Sequence, residues 1–371
     1  MNSTKHPFAR LLHLGALTLL AALLAPPAPA QCLTNFTESF TGGSNDGAWG
    51  FGFANDTEVA MGGNPGSFIG NPLMDTFTPI AQTTLGAASN FHGDYRAAGV
   101  IDLGIDLKTF SNQFSGSCMR PISLQLRSDP GTPGNPNDDT YVYFVSGLSA
   151  PCVGDGWKSY DFDVPAQSTT LPAGWATDPN NANPDDLIWN QVIQDVDQVL
   201  WWYGDPTFFF IFEQWSCGLD NPRVDFLSPP VGYCTAGTSA GGCQALLAAA
   251  GQPSATAAGG FELFANGVEA GKDGLFFFGT GGRQANAWGN GTSLQCVAPP
   301  VKRGAILTGV GTPGTCTGAF AYDLNARWAA KPNQNPGAGA LVQAQLWYRD
   351  PASTSNQSTS LSDALELCVA P

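Results

Sequence analysis

Histidine is almost absent from this chain. Of 371 residues only His6, His13 and His92 are histidines. The first two lie in a stretch with the marks of an export signal: Lys5 and Arg10, an apolar run at residues 11–24, then Ala28-Pro29-Ala30 ahead of Gln31. A mature chain starting at Gln31 keeps His92 alone, which excludes a Ser or Cys nucleophile with a nearby imidazole base and zinc sites built from several imidazoles. Cations are scarce as well. Lys and Arg total 15 against 30 Asp and Glu, for a formal net charge of −15, and cleavage after Ala30 makes the mature chain more acidic still. Nucleic acid is excluded as a partner, because neutralising phosphates takes clustered Lys and Arg. No run beyond residue 30 is apolar for long enough to cross a bilayer as a helix. No membrane insertion is expected, and the product is expected to be secreted or held at the cell surface or in the periplasm. A lipoprotein reading fails at Gln31, where a small residue would precede Cys32.

What the chain has instead is glycine, proline and cysteine. With 45 Gly, 28 Pro and only 12% charged residues, short strands joined by many turns are expected rather than long helices. The organisation expected is a signal peptide at 1–30, a first domain at 31–227, a linker at 228–232 and a second domain at 233–371, all-β throughout. All nine cysteines follow Gln31. In an oxidising compartment they pair, leaving one over. Cys118–Cys152 and Cys234–Cys243 are each close in sequence and separated by turn residues. Cys296–Cys368 and Cys32–Cys217 complete the expected set, with Cys316 as the free thiol, although spacing alone does not decide connectivity.

The most strand-like stretch is residues 195–226, DVDQVLWWYGDPTFFFIFEQWSCGLDNPRVDF. Residues 198–203 and 207–212 are rich in aromatic and β-branched side chains, and Gly204-Asp205-Pro206 punctuates them, which predicts a core hairpin. Residues 217–222 read as a polar turn. Residues 223–226 read as a last strand, with Val224 and Phe226 alternating against Arg223 and Asp225. Leu187, Ile188, Val192, Ile193 and Val196 have helical spacing and predict one short helix near 187–196. Residues 121–127, 140–145 and 157–164 alternate as strands, while the polar loops 129–139 and 173–186 belong at the surface. Residues 244–250 have helical propensity, but Gly and Pro bracket them and a strand is expected.

Three segments then carry a resemblance. FHGDYRAAGVIDL at 91–103, WKSYDFDVP at 157–165 and GLDNPRVDF at 218–226 resemble the laminin-B-type, galactose-binding-like jelly roll of secreted bacterial and extracellular-matrix proteins, over roughly residues 34–228. The second domain, at DGLFFFG (273–279), residues 289–296 and WYRDP (347–351), resembles an uncharacterised C-terminal module of secreted planctomycete proteins, for which no activity is implied. The resemblance implies an N-terminal jelly-roll β-sandwich followed by a disulfide-bonded β-sandwich. It also implies non-catalytic binding or adhesion, to a glycan or a matrix or cell-surface component, through the jelly roll. A structural calcium ion often sits in such jelly rolls where the loop after the first strand meets the last strand. Asn45, Asp46, Asp220 and Asn221 are the residues here that match that place, and a simple turn at Asp220-Asn221 is the competing reading.

Other candidates come from the residues themselves. Trp49, Trp175 and Trp288 stand in polar, Gly-rich surroundings and are candidate loop-borne ligand contacts; ordinary packing under a loop is the alternative. The aromatic run 201–203 and 208–210 is expected to be mostly core. A carboxylate-based glycoside hydrolase needs two acidic groups and no histidine. Glu38, Asp94, Asp102, Asp106, Asp195, Glu213 and Asp220 are available, but no spacing singles out a pair. A purely structural envelope or matrix protein is the third reading. Gly237-Thr238-Ser239-Ala240-Gly241 matches a nucleophile elbow without a downstream histidine, and Gly309-Val310-Gly311-Thr312-Pro313-Gly314 matches a phosphate-loop pattern without a following helix. Both read as turns.

Overall fold

The computed structural model describes residues 32–114, 117–131, 139–289, 292–352 and 357–370. The export signal expected at 1–30 and most of the polar loop at 129–139 lie outside the described residues. The chain is all-β, and every strand ladder among the described residues is antiparallel.

The first half is a sandwich of two sheets. One runs Thr57–Gly63, Gly66–Thr76, Glu213–Leu227, Val100–Asn112, Lys158–Asp163, with Leu33–Thr37 also paired to Glu213–Leu227. The other runs Ile80–Gln82, Gln198–Trp202, Pro121–Ser128, Thr140–Ser149, Trp175–Thr177. Alternation decides which side chains face inward: Leu103, Ile105 and Leu107 are fully buried, while Asp102 and Gly104 lie on the opposite face with the paired Asp161 and Asp163. Trp201, Trp215 and Tyr203 fill the interior with Trp189 of the helix Asp185–Gln194. That helix begins two residues before the expected span. Its buried Ile188, Trp189, Val192 and Ile193 carry the spacing that predicted it.

Two expectations about the central stretch fail. Glu213–Leu227 is one strand of 15 residues, not a turn followed by a short strand. The residues 217–222 stay in the ladder, with a register shift between Asp220 and Arg223 that absorbs Asn221 at φ 45° and Pro222. Residues 207–212, expected as the second strand of a core hairpin, are a loop. The reason is topological: Gln198–Trp202 lies in one sheet and Glu213–Leu227 in the other, so the chain between them crosses the open end of the sandwich.

The second half has its own core, from Ala245 to Val369. Its larger sheet runs Val231–Tyr233, Thr359–Cys368, Leu341–Arg349, Asp273–Gly279, Val301–Arg303, and a smaller one runs Leu246–Gly251, Phe261–Val268, Gly318–Asp323. Val231 and Gly232, expected in a linker, are already paired to Glu366 and Leu365 respectively. Residues 246–251 are a strand, and Leu324–Ala330 is a helix that the sequence pattern did not announce. Asp323 caps it by accepting the Ala326 N–H.

Cys118 is bonded to Cys152; the other expected pairs are not formed. Cys32 joins Cys368, Cys234 joins Cys296 and Cys243 joins Cys316, leaving Cys217 free rather than Cys316. Cys234 and Cys243 are held apart by a tight turn, in which Ser239 N–H donates to the Cys243 carbonyl and Gly242 N–H to that of Ser239. Cys217 lies on the inner face of the long strand, wholly buried, where burial pushes its thiol far above the usual range. Cys32 cannot reach it, because the first strand pairs with the far end of that strand, Leu33 opposite Leu227.

Candidate functional site

The apolar segment DGLFFFG forms the strand Asp273–Gly279, and its run of large side chains has a simple cause: both faces are covered. Phe276 and Phe278 point into the core, whereas Leu275 and Phe277 point outward. Next to them on that outer face stand Trp347, opposite Leu275, and Leu361, opposite Trp347. A hairpin made of Arg283–Trp288 and Ser293–Val297 folds over this face. The buried Gln345 amide pins it, accepting from Cys296 N–H at 3.0 Å and donating to Leu294 O at 2.8 Å. The Arg283 guanidinium adds an ion pair with Glu366 at 2.5 Å and lies 4.8 Å above the Tyr233 ring. The Cys234–Cys296 disulfide ties the hairpin to the start of the module.

Hairpin and sheet do not close completely. Between them is a pocket of about 310 Å³ with Trp288 and Trp347 in its walls, Phe277 in its floor, and Gln295, Gln357 and Arg303 as polar groups. Trp288 is fixed by a hydrogen bond from its Nε1 to Thr359 Oγ1 at 3.0 Å. None of the described lining side chains is a carboxylate. Arg303, on the strand Val301–Arg303 opposite Phe277, has no ion-pair partner among the described residues. Indole faces beside amides and a guanidinium suit a ligand with apolar faces and a hydroxyl-rich rim.

The structure disperses the residues singled out in the sequence. Trp288 lines this pocket. Trp49 and Trp175 are not displayed on loops: they are only 3% and 7% exposed. Trp49 packs edge-on to Phe91 at 5.1 Å, and Trp175 on Trp189 at 5.2 Å. The loop after the first strand folds inward because the buried Glu38 carboxylate gathers it, accepting from Phe40 N–H, Asp46 N–H and Ser44 Oγ at 2.7 to 2.8 Å. Trp347, Phe277, Gln295, Arg303 and Gln357 complete the lining without having been expected as ligand contacts. The signal available for Trp347 was its place beside Tyr348 in an alternating strand, which forces one ring inward and the other out.

Each of the four residues matched to calcium is engaged by hydrogen bonds within the protein. Asn45 accepts from Trp49 N–H and Asp46 from Asn90 N–H. Asp220 accepts from the backbone N–H of Asn64 and of Asn221, while the Asn221 amide donates to Asn64 O and to Asp106. The two pairs share no side-chain partner, and among the described residues no three acidic, His or Cys groups converge to hold a metal. The irregularity at Asp220-Asn221 therefore clamps the loop at Asn64 to the long strand. Burial, aided by Asp106, pushes the Asp220 carboxyl up to about 6 against those N–H bonds.

Most of the other carboxylates are also engaged. Glu213 pairs with Arg120, Asp106 with Arg223, and Asp94 caps a short helix. Asp102 faces Asp163 on one neighbouring strand and Asp225 on the other, an acidic rung on the open face of the sandwich. His92 is spanned by Ala87 O at 2.6 Å and Thr83 Oγ1 at 2.7 Å, and burial lowers its pKa. Ser239 is buried in its turn, its Oγ accepting from Cys243 N–H. The 309–314 segment leads into a strand rather than a helix.

No family model and no curated protein matches this chain. Among solved structures it is similar to a β-1,2-glucanase from Parabacteroides distasonis, at 11% identity and a TM-score of 0.27, covering 92% of this chain and 37% of that one. A likeness that faint carries no argument about fold or function.

Proposed function

We propose that the protein is an exported, non-catalytic glycan-binding or adhesion protein whose recognition pocket lies between the hairpin and the large sheet of its second half. The observation that carries this reading is the pairing of Trp288 and Trp347 with Gln295, Gln357 and Arg303 in one pocket that has no carboxylate among its described walls. Indole rings cover the C–H faces of a pyranose, and amide and guanidinium groups meet its hydroxyls. Hydrolysis of a glycosidic bond needs an acid and a second carboxylate flanking the ligand, so binding is the better reading of this pocket. A volume of about 310 Å³ fits one sugar ring with part of its neighbour, so a chain end or a branch is the expected epitope. The four disulfides fit an oxidising compartment, as an exported protein requires.

A glycan array followed by calorimetry on the best ligand tests this. Trp347→Ala is expected to weaken binding at least about 30-fold, the effect of removing a central aromatic anchor, and Arg303→Ala to weaken it most for acidic sugars. Absence of binding to any glycan by the folded wild type would sink the reading.

A further inference from the structure

The loop at 207–212 that crosses the end of the first sandwich leaves its side chains in the open. Phe208 is 64% exposed, Phe209 78%, Ile211 61% and Phe212 53%, and Phe77 beside them is 42% exposed. They form one patch: the Phe77 ring lies 4.6 Å from Phe209 and 5.1 Å from Phe212. The base of the loop is fixed. Phe210 lies under the Arg120 guanidinium at 4.5 Å, Arg120 is neutralised by Glu213, and Asp205 accepts both the N–H and the hydroxyl of Thr207. The patch is thus apolar, and the cation at its base, Arg120, is paired.

Three observations choose the occupant. The rings meet at 46° and 72°, so they offer no common plane on which a sugar could stack, and phenyl groups bring no polar atom to meet its hydroxyls. The five side chains expose the equivalent of about three whole residues, roughly 450–750 Å² at 150–250 Å² each, which supplies the larger part of the ~800 Å² per partner of a standard interface. Finally, each copy carries a formal charge of −15. Two copies repel over most of their surfaces and can approach only where charge is missing. We propose that this patch is the self-complementary face of a homodimer, with the tilted rings of one copy packed edge to face against those of the other.

Sedimentation velocity on the purified chain from about 1 to 100 µM tests the proposal. A concentration-dependent dimer is expected, tightening as salt is raised because screening relieves the repulsion between acidic copies. Phe209→Asp is expected to weaken it at least about 30-fold. Ile211→Ser serves as a second variant, and circular dichroism establishes that both are folded, as the exposure of these positions leads one to expect. A wild type that stays monomeric throughout overturns the proposal, as does a dimer that survives Phe209→Asp. A monomeric wild type that co-sediments with phosphatidylcholine vesicles overturns it in favour of a lipid surface.

Discussion

At Gly104 the open face of the first sheet has no side chain, and the ion pair of Arg223 with Asp161 occupies the space. A Cβ there would collide with both partners. One rung away, Asp102 has no such cation of its own. Burial, then the fields of Asp161, Asp225 and Asp163, push its carboxyl up to about 7 from an ordinary 3.8. Between those values the folded chain binds a proton that the unfolded chain has released. The stability associated with the site is therefore complete below about pH 4 and lost as the pH rises through 7. Asp102→Asn is expected to melt higher than the wild type at pH 8 by roughly 1–4 °C, with the difference narrowing at pH 5 and closing below about pH 4. An equal difference at both pH values in calorimetry would count against this account.

Among the elements, the hairpin Arg283–Trp288 and Ser293–Val297 calls for the sharpest test, because among the described residues it pairs with no other strand and yet forms one wall of the pocket. It is held by the Cys234–Cys296 disulfide, the Gln345 amide and the Arg283–Glu366 pair. If preorganisation of Trp288 underlies binding, Cys234→Ser with Cys296→Ser should raise the Kd about tenfold or more while the core of the second half still melts cooperatively. An unchanged Kd would show that the sheet face alone recognises the ligand. The expected core hairpin of the first half illustrates the opposite outcome for an aromatic run. In DGLFFFG both faces found cover, whereas in TFFFIF the crossing between sheets covered only Phe210.

On the scale of the whole molecule, two cores meet at a small seam of Leu227, Cys368 and Ala370 with Cys32, Ile101 and Leu341. Beside it opens a cleft of about 1490 Å³ between the halves. The Cys32–Cys368 disulfide spans 336 residues of sequence and fastens the first strand to the last. Cross-links closing long loops contribute most by restricting the unfolded chain, typically about 2–4 kcal/mol. Cys32→Ser with Cys368→Ser is expected to lower the melting temperature and to separate the unfolding of the two halves into distinct calorimetric transitions. A single unshifted transition would mean that the apolar seam suffices.

The sequence by itself determined the all-β class, the helix near 187–196, the alternation that puts Val224 inside and Arg223 on the opposite face, and the scarcity of histidine. Each is a local property: period, turn residues and composition act within a few positions. The tertiary structure decided which cysteines meet, that Trp49 and Trp175 are core while Trp288 and Trp347 share a pocket, and that Asp220-Asn221 clamps a loop. It also decided that the Phe run lies outside. All of these depend on which strand joins which sheet. Single-chain patterning leaves that open, because an apolar run looks the same whether its cover is a second sheet, a hairpin or another molecule.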